Sequence, residues 1–260
     1  MRIAILGVFL LAVGLEAQVK DFDFYPEFRR WFTSLPTDQR QPLDTLLERY
    51  RQRLLAQQVP ETEIGRRATL IRTRRPDLEA DFWNRFFTVD APAFNTAPNE
   101  FLVSMVQGRK PGRALDVGMG EGRNALYLAK LGWAVTGFDP ADKAVALAQE
   151  RARKMGPSIT TAVALDRNFD FGQPRWDLIL LSWMPANEPP RLIEALAPDG
   201  ILVLEGPLDW FGVNGLLKSF AGLRILHYED VVSQSDFMSY QERQPIQVVR
   251  LVAQKSGHQP

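Results

Sequence analysis

The sequence predicts an α/β fold, a Rossmann-like doubly wound sheet that follows a helical N-terminal segment. Residues 114–152 alternate short apolar runs with stretches of helical spacing, in the order strand, turn, helix, strand, helix. Residues 176–183 read WDLILLSW, a nearly continuous apolar run that is typical of a central strand buried on both faces. Before residue 99, apolar residues recur at helical intervals instead, as they do over residues 44–57.

The first strand and the turn after it carry the most informative pattern in the chain. The segment 113–117 is short and mostly apolar, and Asp116 lies near the end of this predicted strand. Because glycine lacks a Cβ and adopts positive φ, alternating glycines let the backbone turn sharply and let a ligand approach it. A helix predicted over residues 121–130 follows at once. The glycines of this turn are Gly118, Gly120 and Gly122.

The second strand, predicted over residues 133–138, ends at Asp139. Open α/β sheets bind their ligands at the carboxyl ends of the strands, so this side chain lies where a ligand is expected. A carboxylate there can accept hydrogen bonds from both hydroxyls of a ribose. Pro140 suits the first turn of the helix that follows. The sequence therefore predicts a nucleoside site between the glycine turn and Asp139.

The charges around the glycine turn indicate which kind of nucleoside cofactor fits. A nicotinamide dinucleotide fingerprint has the spacing G-x-G-x-x-G, whereas this turn reads G-M-G-E-G. Glu121 also disfavours a pyrophosphate at the start of the helix, because both groups are negative. Asp116 and Glu121 suit a ligand with a positive end, and S-adenosylmethionine carries an ammonium group and a sulfonium without any phosphate.

Residues 115–129, LDVGMGEGRNALYLA, resemble motif I of class I S-adenosylmethionine-dependent methyltransferases. The stretch is especially similar to the small-molecule branch that includes tellurite-resistance and thiol methyltransferase-like proteins. The resemblance continues more loosely to about Lys255, so it implies an S-adenosylmethionine-binding domain over residues 99–256. It also implies a seven-stranded sheet whose last strand is antiparallel, with the closing pair predicted over residues 223–228 and 246–254.

The resemblance assigns a further ligand contact to the end of the third strand. That strand is predicted over residues 158–165 and ends at Asp166. In the family, an acidic residue at this place binds the adenine amino group, and the residues after it pack on the ring. The weaker adenine candidates are therefore Arg167, Asn168 and Phe169.

The later strand ends complete the predicted site. Ser182 lies at the carboxyl end of the strand predicted over residues 176–183 and is assigned to cofactor binding. Its neighbours Trp183 and Met184 belong either to the substrate wall or to the core. Glu205, at the end of the next strand, faces the same rim. A helix is predicted over residues 209–221.

Composition excludes several classes of function. Lysine plus arginine equal aspartate plus glutamate at 31 each, which argues against a general nucleic-acid or membrane-surface binder. The chain has no cysteine, so disulfides, cysteine nucleophiles and thiolate metal sites are excluded. With only two histidines, His227 and His258, no metal site is predicted.

Residues 1–17 read MRIAILGVFLLAVGLEA, an arginine followed by an apolar run too short to span a bilayer comfortably. The pattern indicates a secretory signal peptide or an uncleaved membrane anchor. Either one conflicts with a cofactor that is made in the cytoplasm. Three explanations stay open: a misplaced start, an anchor whose domain faces the cytoplasm, or export with an imported or different ligand.

Residues 18–98 are predicted to form a helical segment before the cofactor domain. In related methyltransferases the region before motif I covers the cofactor and shapes the acceptor pocket, so aromatic residues here are lid candidates. Aromatic residues at helical spacing are more often packing than pocket, and both interpretations stay open. The lid candidates are Trp83, Phe86, Phe87 and Phe94.

The sequence therefore predicts methyl transfer from S-adenosylmethionine to a small-molecule acceptor. It assigns no catalytic base, because a soft acceptor such as a thiol needs none whereas a hydroxyl or an amine needs proton removal. The alternative is a non-catalytic module of the same fold that binds S-adenosylmethionine or S-adenosylhomocysteine. No nucleic-acid partner is predicted, no membrane contact apart from the N-terminal anchor, and no pattern indicates an oligomeric state.

Overall fold

The computed structural model describes residues 23–35, 43–88, 94–237 and 245–257. The chain divides into two compact units, residues 1–82 and residues 83–260. This boundary falls earlier than the one expected at residues 98 and 99, and it assigns the predicted lid aromatics to the second unit. The signal peptide or anchor predicted over residues 1–17 lies outside the described residues.

The first unit is helical and has an apolar core of its own. Its helices are α1 (Tyr25–Ser34), α2 (Leu43–Ala56) and α3 (Glu61–Phe87), most of which belongs to this unit. Phe28 and Tyr50 pack edge to face inside the core, with ring centroids 4.9 Å apart. α3 is kinked at Arg74, whose φ is −128°. Pro76 follows two residues later and has no N–H to give to the helix ladder, which explains a break here.

No described helix combines the length and the apolar character that crossing a membrane requires.

The second unit alternates strands and helices along the chain. Its strands are β1 (Arg113–Val117), β2 (Ala134–Asp139), β3 (Thr160–Val163), β4 (Trp176–Ser182), β5 (Leu196–Pro207), β6 (Arg224–Gln234) and β7 (Pro245–Gln254). Its helices are α4 (Glu100–Val106), α5 (Arg123–Lys130), α6 (Asp142–Met155), α7 (Pro189–Ala195), α8 (Leu208–Phe211) and α9 (Gly215–Ser219).

The strands form one seven-stranded sheet in the order β3-β2-β1-β4-β5-β7-β6. β1 to β5 are parallel to one another, and β7 runs antiparallel to both of its neighbours, β5 and β6. The predicted seven-stranded sheet with an antiparallel last strand is confirmed. The chain leaves β1 toward β2 and β3 and returns on the other side to β4. The carboxyl ends of β1 and β4 therefore flank a switch point, where open α/β sheets bind ligands.

Apolar residues on both faces of the sheet form the core of the second unit. Leu115 and Ile179 pack on one face, whereas Leu178 and Leu180 pack on the other. This alternation follows from the two-residue period of a strand, and it explains why the sequence of β4 is apolar at nearly every position. The buried centre of the sheet holds the strand ends that carry the site.

Two elements differ from their predictions. The helix expected over residues 209–221 is split into α8 and α9, because Gly212 and Asn214 adopt left-handed φ values of 72° and 58°. Left-handed residues cannot continue a right-handed helix. β6 reaches Gln234 rather than ending near Tyr228, because β7 pairs with it along its whole length.

The close pairing of β4 and β5 leaves no room for a side chain at Gly200. A Cβ built there would lie 2.6 Å from the backbone oxygen of Trp176 and 2.9 Å from that of Ala197. We expect Gly200→Ala to lower the free energy of unfolding in urea by about 1–3 kcal/mol, because backbone has to shift. The matched control is Gly222→Ala, whose added Cβ has nothing within 4 Å. That control should stay within about 0.5 kcal/mol of the wild type, and an equal loss for both variants would contradict the packing argument.

Candidate active site

The glycine turn between β1 and α5 has the backbone that the sequence predicts. Gly118, Gly120 and Gly122 have φ values of 68°, 55° and 80°, a region that side chains make costly. The backbone N–H of Met119 donates to the carbonyl of Phe138 at 3.0 Å, which ties the turn to the end of β2. The turn therefore places backbone without side chains at Gly118, Gly120 and Gly122 next to the second predicted ligand contact.

Asp139 lies at the end of β2 against this turn and is 6% exposed. Its Oδ2 accepts the N–H of Gly120 at 2.9 Å, and its Oδ1 accepts the N–H of Ala141 at 2.9 Å. These bonds fix the orientation of the carboxylate. A carboxylate oxygen can accept more than one hydrogen bond, so a carboxylate oriented in this way is suited to bind hydroxyls.

Asp116, on β1 just before the turn, is 1% exposed. Its Oδ2 has no hydrogen-bond partner among the described residues. Loss of water raises the pKa of Asp116 to about 7, an effect that the nearby Arg123 guanidinium opposes and the Asp139 carboxylate adds to. A buried carboxylate with an unpartnered oxygen matches a ligand that brings a cationic donor.

Ser182 ends β4, the strand beside β1. Asp116 pairs with Leu180 in the parallel register, so Ser182 lies two residues further toward the carboxyl edge, level with Gly118. The Ser182 Oγ is buried and has no hydrogen-bond partner among the described atoms. The structure thus brings Asp116, the glycine turn, Asp139 and Ser182 to one edge of the sheet.

Asp166 follows β3 and is engaged in its own loop. Its Oδ2 accepts the side-chain amide of Asn187 at 2.7 Å, and its Oδ1 accepts the N–H of Arg167 at 2.8 Å. Phe169 stacks on Phe138 at the end of β2, with ring centroids 4.0 Å apart. Of the adenine candidates, Phe169 is therefore the one whose ring lies against the end of β2.

Trp183 adopts a left-handed backbone conformation with φ of 59°, which is a strained position for a large side chain. Its N–H donates to the carbonyl of Glu205 at 2.8 Å, and its indole Nε1 donates to Glu205 Oε1 at 3.1 Å. Its ring lies nearly parallel to that of Phe237, 6.0 Å away. These contacts hold the strained residue at the carboxyl end of β4.

A buried polar network next to Trp183 is not evident from the sequence. The side-chain amide of Asn99 donates to Glu205 Oε1 and to Asp236 Oδ2, both at 2.7 Å. Arg123 lies 3.3 Å from Asp236 Oδ2, and Arg250 binds Glu205. The sequence predicts Glu205 near the site because it lies at the end of a predicted strand. No local sequence pattern indicates that Asn99 or Asp236 joins it.

The charged residues buried in the described part of the chain are all acidic, and three of them, Asp116, Glu121 and Asp139, lie in or beside the glycine turn. Partly exposed arginines offset some of this charge, as Arg151 does at 2.5 Å from Glu121. The remaining negative potential suits a positively charged ligand and disfavours a phosphate. The site chemistry thus fits S-adenosylmethionine. The buried carboxylates are Asp116, Glu121, Asp139, Glu205 and Asp236.

The lid candidates form one aromatic cluster in the second unit. Phe86 stacks on Phe237 with ring centroids 5.6 Å apart, and Trp83 stacks on Phe87 at 5.8 Å. Phe87 and Phe94 pack on the residues that follow Asp139. This cluster lies against both the β2 end and, through Phe237, the Trp183 side chain.

The segment that contains Asp116, the glycine turn, Asp139 and Ser182 is similar in sequence to known proteins. Residues 114–199 match a protein family described as a methyltransferase domain. Over 82 residues the chain is 37% identical to the probable S-adenosyl-L-methionine-dependent methyltransferase TehB of Haemophilus influenzae, which is 29% of each protein. Over 96 residues it is 36% identical to the 2-heptyl-1-hydroxyquinolin-4(1H)-one methyltransferase of Mycobacteroides abscessus, covering 36% of this chain and 42% of that protein.

The chain spans less than half the length of these curated relatives. The similarity in fold extends further. The crystal structure of TehB from Haemophilus influenzae superposes with a TM-score of 0.51 at 20% identity, covering 68% of this chain and 67% of that one. The second unit therefore has a fold similar to that of TehB, and residues 114–199 within it match a family described as a methyltransferase domain.

Proposed function

We propose that the second unit transfers a methyl group from S-adenosylmethionine to a small-molecule acceptor. The observation that carries this proposal is the pair of buried carboxylates at the glycine turn, Asp116 with its Oδ2 unpartnered among the described residues and Asp139 bound to the N–H of Gly120. A ligand that carries an ammonium and a sulfonium offsets this charge, whereas a pyrophosphate would add to it.

Each predicted contact has a role in this proposal. Asp139 accepts the ribose hydroxyls, because its carboxylate is fixed at the end of β2 by two backbone donors. Asp116 and Ser182 hold the amino-acid end of the cofactor, because both have buried unpartnered oxygens on adjacent strands. Asp166 remains the proposed adenine contact, because its two oxygens accept hydrogen bonds from the Asn187 amide and the Arg167 N–H, and a carboxylate offers about four acceptor sites.

S-adenosylmethionine supplies a methyl group that the sulfonium charge makes electrophilic. The chain contributes position and orientation, which convert a bimolecular encounter into a reaction between held groups. Glu205 is bound by Asn99, Trp183 and Arg250, so its carboxylate anchors side chains instead of removing a proton. A soft or already anionic acceptor suits such a site, because it needs no base.

The rim at the end of β4 indicates the kind of acceptor. Trp183 contacts both Phe237 and Trp210, with ring centroids 6.0 Å and 6.4 Å apart, and all three are partly exposed. The nearby arginines, Arg123 and Arg250, are committed to ion pairs. An apolar aromatic rim favours an acceptor with a flat aromatic body. One relative is named for a substituted quinolone as its substrate, and we propose an acceptor of that general kind.

The ribose assignment predicts that Asp139 controls cofactor binding. We expect the full chain to bind S-adenosylhomocysteine in calorimetry, and Asp139→Ala to weaken that binding by about 3 kcal/mol, roughly a hundredfold, because two hydrogen bonds to a carboxylate are lost. The matched control is Glu150→Ala on α6, a partly exposed residue paired with Lys154, which should leave the affinity unchanged. Unchanged affinity in Asp139→Ala would refute the ribose assignment.

A larger thermal stabilisation by NADH than by S-adenosylhomocysteine would refute the cofactor assignment.

Turnover separates the enzyme from the non-catalytic alternative. We expect labelled methyl to pass from S-adenosylmethionine to at least one member of a panel of thiols, hydroxyl compounds and hydroxyquinolones. Tight cofactor binding without transfer to any member would favour the binding module instead.

Burial of Asp116 predicts a pH dependence of cofactor affinity. The pKa of Asp116 is raised to about 7, so at lower pH a proton must leave before the carboxylate can pair with the ligand's ammonium group. We expect affinity for S-adenosylhomocysteine to fall about tenfold for each pH unit below 7 and to level off above it. Asp116→Asn should bind more weakly at high pH and should lose this slope. A flat wild-type profile across the same range would contradict the assignment.

A further inference from the structure

The two glycines that face the cofactor are covered by side chains of the same unit. A Cβ built on Gly118 would lie 2.9 Å from Met184 Sδ, and one built on Gly120 would lie 2.7 Å from Phe87 Cζ. The three heavy atoms nearest to each site belong to that one side chain. The space beside the bare backbone of the turn is thus filled by Met184 and Phe87.

Phe87 is held firmly in this place. It is 9% exposed and packs with Phe94, Ala141 and Ala144. Its ring centroid lies 5.1 Å from that of Phe94 and 5.8 Å from that of Trp83. Aromatic contacts of this kind stabilise a packed arrangement beyond the burial of apolar surface, so they favour the covered position of Phe87.

The ribose contact is hidden in the same way. Asp139 is 6% exposed, and the N–H that binds its Oδ2 belongs to Gly120, the glycine under the Phe87 ring. A ribose that reaches both carboxylate oxygens needs more open surface than this. Approach to the glycine turn and approach to Asp139 therefore meet the same obstruction.

We propose that Phe87 and Met184 occupy the cofactor's place on the glycine turn and must move aside before the cofactor binds, so that these two side chains set its affinity. This inference rests on the proposed function, because it concerns the same cofactor site. Side chains that only line the cofactor site would leave the turn accessible. Phe87 and Met184 instead contact the backbone that the cofactor has to approach.

The affinity for the cofactor depends on how many molecules have an uncovered glycine turn. The apparent dissociation constant equals the intrinsic constant divided by the fraction of molecules in which the turn is uncovered. Removing the Phe87 ring raises that fraction, so the loss of an apolar side chain next to the site should tighten binding. If Phe87 instead formed a wall of the bound state, its removal would weaken binding.

The test compares Phe87→Ala and Met184→Ala with the control Phe94→Ala in the full chain. Phe94 is 5% exposed and belongs to the same cluster, so its truncation disturbs the packing in a similar way without uncovering the glycine contact. The dissociation constant for S-adenosylhomocysteine is measured by calorimetry. Its association rate is measured through the fluorescence of the tryptophans, among which Trp83 stacks on Phe87.

We expect Phe87→Ala and Met184→Ala each to lower the dissociation constant about threefold or more and to raise the association rate, whereas Phe94→Ala, which loosens the Phe87 ring without removing it, should change both by less. Weaker or unchanged binding in Phe87→Ala would overturn the inference and leave the proposed function intact. Absence of binding by the wild type and all variants would remove the proposed function and the inference with it. Where Phe87→Ala fails to fold, Phe87→Leu shortens the side chain, keeps it apolar and carries the same expectation.

Discussion

The carboxylate of Glu205, 2% exposed, is the group around which this half of the second unit is organised. Transfer of an ionised carboxylate from water into a protein interior is very unfavourable unless hydrogen-bond donors replace the water. Here the donors are the Asn99 amide, the Trp183 indole and the Arg250 guanidinium. Asn99 caps α4, Trp183 follows β4 and Arg250 belongs to β7, so one buried charge fixes three elements relative to one another. The strained backbone of Trp183 persists because this requirement outweighs its cost.

Much of the fold is predictable because its signals are local. The strand over residues 113–117 has the predicted bounds, since a run of buried apolar residues ends at a glycine turn. The helix expected over residues 209–221 fails for an equally local reason that periodicity alone does not reveal. Its apolar spacing continues through Gly212 and Asn214, whose left-handed backbone ends the helix. Apolar spacing thus predicts which face is buried, while single residues decide whether the backbone continues.

The predicted parts of the site depend on residues close together in sequence, whereas the unpredicted parts depend on residues far apart. The glycine turn and Asp139 lie within one strand-turn-helix-strand unit, so residue spacing is enough to bring them together. Asn99 and Asp236 are 137 residues apart in sequence and meet through a single amide-to-carboxylate hydrogen bond. Neither has a neighbouring pattern that indicates its partner, because the contact exists only once the sheet and α4 have packed. The cover on the glycine turn is also of this tertiary kind, since Phe87 and Met184 are 97 residues apart in sequence.

The position of β7 between β5 and β6 determines when the sheet can be completed during synthesis. β6 neighbours only β7 in the sheet, and β5 is joined to that side only through β7. A nascent chain that still holds residues 245–254 in the ribosome therefore exposes the open edge of β5 and has no sheet to receive β6. Open strand edges pair readily with other chains. This domain thus stays prone to aggregation until almost all of its described sequence has emerged, and chaperones that protect strand edges should matter most in that interval.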